Sequence, residues 1–206
     1  MVKLMLGVPV GKLSVSSFWV GFTQLVSQSH LPFQVFISNR VDLNRSAIID
    51  KAIKGGYDLC MFDSDVILTT EMKQVKEILD EDFKEKSIGM VIAPTVGVGG
   101  TLLAEAPPQK DSVKWEVNYA GLGFCAIKLE VMQKLPVISQ YNALGGEAVP
   151  MRVVYATNTS EDIVLVQAVK KLGYKVLVDS RIKAIHIQSS AYTYPESVTN
   201  FMGQNK

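Results

Sequence analysis

Cysteine and histidine are scarce in this chain, with two of each in 206 residues. Cys60 and Cys125 lie inside the apolar runs "LCMF" and "GFCAI". They read as buried free thiols in a reducing compartment, not as a bridge. Long hydrophobic runs are missing: no apolar stretch approaches the ~20 residues that a membrane helix needs. The apolar start "MVKLMLGVPVGK" is interrupted by Gly7 and Pro9, so it reads as a first buried strand rather than a signal peptide. The expectation is a soluble, cytoplasmic protein without a membrane span. Charge of one sign is not in surplus either, with 21 Lys and Arg against 20 Asp and Glu. Such a balance offers nothing to nucleic acid or to an anionic membrane. Low-complexity tracts and internal repeats are absent, and a content of 48% hydrophobic and 20% charged residues excludes a disordered or fibrous chain. A chain of this length needs no disulfide or metal merely to fold.

What is present is an alternation of strand and helix signals. "KLMLGVP" (3–9), "FQVFIS" (33–38), "DLCMF" (58–62) and "IGMVIA" (88–93) read as strands. Between them lie helical patterns over 14–27, over a segment that Asp42 can cap and Gly55-Gly56 ends, and over one that Thr70 can cap. Such alternation predicts an α/β fold with parallel pairing through right-handed crossovers. Ligands of open parallel sheets bind outside the carboxyl ends of the strands. Val8 to Val10, Ser38 to Arg40, and Asp63 with Asp65 all fall at such ends.

The second half behaves differently. Residues 95–114 are rich in Gly and Pro and read as a mobile loop. "WEVNYAGLGFCAIKL" (115–129) reads as two short strands around Gly121 and Gly123, with the short helix "LEVMQKL" after it. Weak signals over 138–158 suggest a loop at Gly145-Gly146 and a strand at "MRVVYA". A helix then runs to Leu172, Gly173 stops it, and "YKVLVD" and "IKAIHI" read as strands. The polar tail from Gln188 reads as loosely held. The organisation expected is one unit over 1–206, in which 1–94 binds and 95–206 completes the site.

The densest chemistry is "CMFDSDVIL" (60–68), where an apolar strand ends in Asp63 and Asp65. Two acids two positions apart at a turn can both reach one point, and carboxylate oxygens suit hard divalent cations. An Asx-type turn would use the same residues. Glu161 and Asp162 open a later helix, where Thr159 and Asp162 also have capping-box spacing. His186 lies in the strand "KAIHI", where an imidazole is either a satisfied strand residue or a ligand; His30, in "SQSHLP", takes the structural reading.

The order of Asp63-Ser64-Asp65, Gly121-Leu122-Gly123-Phe124, Glu161-Asp162, Leu172 to Asp179 ("LGYKVLVD") and His186 resembles nucleotide-sugar glycosyltransferases of the GT-A fold, above all family 2. The resemblance spans nearly the whole chain, and its short form is similar to the minimal versions carried by phages and archaeal viruses. It implies a Rossmann-like GT-A fold: a mostly parallel sheet flanked by helices, with a small antiparallel extension. It further implies transfer of a sugar from a UDP- or GDP-type donor to an acceptor hydroxyl. By the same resemblance, Asp63 meets the ribose or the metal, Asp65 bridges the metal to the diphosphate, and His186 completes the metal site. Val8, Pro9, Val10, Asn39, Arg40 and Arg45 border the donor, and Gly121, Gly123 and Phe124 line the sugar and acceptor pocket. Asp162, or alternatively Glu161, is the general base of an inverting reaction. A His ligand beside carboxylates leans the cation towards Mn²⁺ over Mg²⁺. Two departures stand out. "ISNRVD" offers only Asp42 where relatives carry a base-reading acid, and "LNRSAI" matches at Arg45 but not at Ser46.

Three other readings share parts of this pattern. "CMFDSDVIL" also resembles the nucleophile motif of haloacid-dehalogenase-like phosphohydrolases, but two strand–helix units precede it here and no later Lys and paired acids follow in the order that family has. A sugar-1-phosphate nucleotidyltransferase would need a basic, Gly-rich loop after the first strand. A non-catalytic nucleotide-binding module would have no need of Asp162.

Overall fold

The computed structural model describes residues 2–10, 16–38, 40–95, 104–141, 148–153 and 159–186. The segments 96–103 of the expected loop, the Gly145-Gly146 region, 154–156 of the expected strand, and the tail from 188 lie outside the described residues, as does Asn39.

The chain runs through β1 (Leu4–Val10), α1 (Ser16–Ser29), β2 (Phe33–Ile37), α2 (Val41–Gly55), β3 (Asp58–Phe62), β4 (Val66–Leu68), α3 (Met72–Asp82) and β5 (Ile88–Ile92). It continues with β6 (Lys114–Glu116), β7 (Phe124–Ile127), α4 (Leu129–Lys134), β8 (Ile138–Tyr141), β9 (Ala148–Met151), α5 (Glu161–Lys171), β10 (Lys175–Asp179) and β11 (Ala184–His186). Seven strands form one sheet in the order β2-β1-β3-β7-β5-β10-β6, and two antiparallel ribbons, β11-β4 and β8-β9, stand beside it. β1 pairs in parallel with both β2 and β3, and β10 does so with β5. The sheet is therefore mostly parallel in strand direction, as expected, but β3 and β5 do not pair with each other. The antiparallel strand β7 is inserted between them.

Side-chain alternation divides the core into two layers. On β1, Leu4, Leu6, Val8 and Val10 pack with Phe22 of α1 and with Val75 and Leu79 of α3. Met5 points the other way, into a cluster with Ile48 and Ile49 of α2, Val131 of α4, and Leu165 and Val169 of α5. The two cysteines fall in different layers, Cys60 in the first and Cys125 in the second, so a bridge between them is excluded. Burial pushes both thiols well above their ordinary range. Among the described residues, no helix is long and apolar enough to cross a membrane.

The helix starts differ from the capping expected. Asp42 lies inside the first turn of α2, whose cap residue is Arg40, and its fully buried carboxylate binds the Arg40 guanidinium and the Leu43 N–H. Thr70 precedes the cap position of α3. Its hydroxyl accepts the Lys183 N–H and donates to the Arg181 carbonyl, which fastens the β4 ribbon to β11. The cap of α5 is Ser160, which makes no side-chain cap bond. At Thr70 the distant backbone of Arg181 and Lys183 outcompetes a local cap. The C-terminal signals fare better: Gly56 closes α2 with φ 68°, a left-handed conformation that suits glycine.

One close approach holds α2 on the sheet. A Cβ on Gly7 would stand 2.4 Å from Ile48 Cγ2 and 3.0 Å from Leu59 Cδ1. A Gly7→Ala substitution should therefore lift α2 from β1 and cost roughly 1–3 kcal/mol of stability, read as a lower urea midpoint with an unchanged slope. An unchanged midpoint would show that α2 is not seated this tightly.

Candidate functional site

The carboxyl end of β3 carries the site. After Phe62 the chain makes a β-turn, in which the Val66 N–H donates to the Asp63 carbonyl at 3.0 Å, and then returns as β4. Asp63 opens the turn, and Ser64 and Asp65 are its two central residues. The Asp63 N–H donates to the Gly123 carbonyl at 3.0 Å, so the segment entering β7 runs alongside. Gly123 has no room for a side chain: a Cβ there would meet Thr95 Cγ2 at 2.9 Å and Val66 Cγ2 at 3.2 Å.

Arg45, the fifth residue of α2, occupies the centre. It is 1% exposed and its guanidinium serves three carboxylates. Nη2 donates to Asp63 Oδ1 at 2.8 Å and Oδ2 at 3.0 Å, while Nη1 donates to Glu161 Oε1 at 3.0 Å and to Asp162 Oδ1. The second oxygen of Asp162 accepts the Leu122 N–H at 3.3 Å. Acids in the first turn of α5 also face the positive end of that helix. Burial alone would weaken the charge on Arg45, but Asp63, Asp162 and Glu161 together hold it firmly protonated. For Asp63, burial outweighs the attraction of Arg45 and pushes the carboxyl up to about 6, with Asp162 and Asp65 adding repulsion. Arg45 is shared among three acids, so it cannot compensate any one of them fully. Its Nε has no hydrogen-bond partner among the described residues.

A second pair forms at the rim. β11 lies antiparallel to β4 with His186 opposite Val66, and this register brings His186 Nε2 to 3.0 Å from Asp65 Oδ2. The β10–β11 connection is set by Asp179, wholly buried, which accepts the Arg181 backbone N–H and pairs with its guanidinium at 2.7 Å. This explains the final acid of the "LGYKVLVD" segment: it shapes the turn that aims β11.

The sequence-predicted residues thus divide. Asp63, Asp65, Glu161, Asp162, His186 and Gly123 gather at one strand end, with Gly121 just before Leu122. Val8, Pro9 and Val10 end β1 at the same edge, buried, with the Val10 carbonyl accepting from Asn44 Nδ2 at 2.9 Å. Arg40 stands at the head of α2 and engages Asp42 at 2.6 Å. Arg45 does not reach out to a donor: its guanidinium is consumed beneath the three acids. Phe124 is displaced too. Strand alternation turns it into the opposite layer from Cys125, fully buried and stacked on Phe62 at 6.5 Å.

Sequence reasoning missed Asn44 and Ser46. Asn44 ties the ends of β1 and β2 together, and Ser46 Oγ accepts the N–H groups of Arg152 and Val153 while donating to the Val153 carbonyl. The departure at Ser46 from the family pattern is thus an anchor for the second half of the chain. The available signal was "DLNRS" itself, a run of polar residues that helical periodicity would expose, of which Asp42, Asn44, Arg45 and Ser46 are all buried.

The donor set fits a divalent cation in part. Asp65 and His186 present one oxygen and one nitrogen side by side, whereas both oxygens of Asp63 face Arg45. Among the described residues, no three His, Cys, Asp or Glu side chains are arranged to hold a metal. Two protein ligands suffice for a cation that completes its shell with water and phosphate oxygens, and a larger count is needed for an all-protein cage.

No family model matches the sequence, and no curated protein does. Solved structures do match the fold. A197 from STIV is similar over 92% of this chain and 87% of its own, with 19% identity and a TM-score of 0.62. GalNAc-T7, solved with UDP, GalNAc and Mn²⁺, is similar over 98% of this chain and 47% of its own, with 10% identity and a TM-score of 0.56. The chain therefore spans about half the length of the latter protein. The architecture is the GT-A fold: a mostly parallel sheet between helical layers, with a small antiparallel extension.

The rim pair has a titration consequence. The hydrogen bond that His186 donates to Asp65, together with the charge of that carboxylate, raises the imidazole above the ordinary range, against the opposing effect of burial. A raised imidazole stabilises the fold fully below its unfolded value and loses that contribution as pH rises through the folded value. In chelator-treated protein, Asp65→Asn should lower the His186 pKa in an NMR titration. An unchanged value would show that the two side chains do not meet in solution.

Proposed function

We propose that this chain transfers a glycosyl group from a nucleoside-diphosphate sugar to an acceptor hydroxyl. The observation that carries this reading is the meeting, at the carboxyl end of β3, of the Asp65–His186 pair with the Asp63–Arg45–Asp162 cluster. The GT-A fold supports it, as does GalNAc-T7, which shares that fold and was solved with UDP, GalNAc and Mn²⁺.

The chemistry follows from the residue types. Asp162 lies at the mouth of α5 with its carboxylate about a fifth exposed and one lone pair on each oxygen still available beyond the bonds to Arg45 and Leu122. It accepts the acceptor's hydroxyl proton as the acceptor oxygen attacks the anomeric carbon. The bond from that carbon to the diphosphate oxygen breaks, and its electron pair leaves with the diphosphate. Glu161, more deeply buried, shares the Arg45 Nη1 with Asp162. Asp63, at the end of β3, faces the ribose side of the donor.

Electrostatics demand a further cation. One guanidinium against three carboxylates leaves the cluster anionic when all three are ionised, and a diphosphate would meet repulsion there. A divalent cation held by Asp65 and His186, Mn²⁺ in preference to Mg²⁺, would link the protein to the diphosphate and offset the charge that develops on it. The described part of the Gly- and Pro-rich segment, from Ala104, is fastened to the sheet edge through a bridge to Ala120. This segment would cover the donor and exclude water.

The test is a melting-temperature panel of UDP- and GDP-sugars with and without Mn²⁺. The correct donor should raise the melting temperature only with the metal. Asp162→Asn should keep that rise and lose roughly 10²–10⁴-fold in turnover. A protein that responds to no nucleotide sugar would contradict the proposal, and equal turnover by both proteins would remove Asp162 as the base.

A further inference from the structure

Beyond the roles that the resemblance implies, we infer that Arg45 is a positioning residue that locks the acceptor-side acid Asp162 to the donor-side acid Asp63. The inference rests on the proposed transfer only for its kinetic consequence; its structural content stands alone.

Three observations carry it. The guanidinium is 1% exposed, so it cannot serve as a surface contact for a diphosphate while the cluster is intact. Its two terminal nitrogens are divided between elements far apart in sequence: Nη2 takes both oxygens of Asp63 on the β3 turn, and Nη1 takes Glu161 and Asp162 on α5. The planar fork fixes the angle between those two contacts, which a lysine ammonium at the same place would not do. Finally, Asp162 has two anchors, Arg45 at Oδ1 and the Leu122 N–H at Oδ2. With both in place the carboxylate cannot rotate, and with Arg45 gone a single 3.3 Å bond is left.

Arg45 itself is held by its own helix. Asn44 binds the Val10 and Ser38 carbonyls and Ser46 binds Val153 and Arg152, so the residues on either side of Arg45 are fixed to the sheet and to the second half. The position of the guanidinium is therefore decided by α2, and the acids are arranged around it. Through this one side chain, the distance between the donor's ribose end and the base that receives the acceptor proton becomes a property of the scaffold.

The Leu122 amide reports the arrangement without requiring activity. In Arg45→Lys, its hydrogen exchange should be roughly five- to tenfold faster than in the wild type, because Asp162 turns away from it. Asp63→Asn, which releases the Nη2 end of the fork and so lets the guanidinium swing away from Asp162, serves if Arg45→Lys does not fold: it should accelerate the same amide in the same direction. In the transfer assay, Arg45→Lys should lose roughly 10²-fold in kcat with little change in donor KM, as a misplaced base predicts. Wild-type exchange at Leu122 in the folded variant used would overturn the inference, as would a loss confined to KM. Absence of turnover in the wild type would instead count against the proposed function, and the Leu122 readout would still decide the role of Arg45.

Discussion

The ion cluster around Arg45 is the constraint from which the rest of this molecule follows. Removing a guanidinium from water is costly, and a buried charge persists only with partners that satisfy it geometrically as well as electrically. Here the partners come from the β3 turn and from the start of α5, so the arginine joins parts of the chain that the sheet alone does not connect. Arrangements of this type add little net stability compared with apolar packing. What they do specify is direction, and in this case two carboxylates are directed to one edge of the fold.

The inserted strand makes the arrangement possible. Because β7 runs antiparallel between β3 and β5, the chain approaches it across the carboxyl end of β3 and delivers the Leu122 and Gly123 backbone to the site. A fully parallel sheet would offer a helix connection at that point instead. The ribbon of β4 and β11 contributes the last component, carrying His186 back over Asp65. The groups at the site therefore come from the first half, from the ribbon, from α5 and from the approach to β7.

Much of this was legible in the sequence. Buried strands announce themselves as apolar runs, and the crossovers between β1, β2 and β3 follow from the alternation with helices. Ordered short motifs identified Asp63, Asp65, Glu161, Asp162 and His186, which the fold then gathers. The illegible parts share one physical cause: they depend on partners far away along the chain. The insertion of β7, the capture of Thr70 by β11, and the inward turn of Phe124 are decided by pairing between strands, which local pattern does not encode. Arg45 is the clearest case. Its residue type and place matched a donor contact, yet its burial and its three acids are visible only when α2 is seated on the sheet.

The most direct test of the whole account is an anomalous diffraction map from crystals grown with Mn²⁺ and the nucleoside diphosphate that raises the melting temperature. The account predicts a manganese peak within bonding distance of Asp65 and His186, the diphosphate against it, and Arg45 still joined to Asp162. A nucleotide seated elsewhere on the molecule, or manganese bound away from this pair, would contradict it.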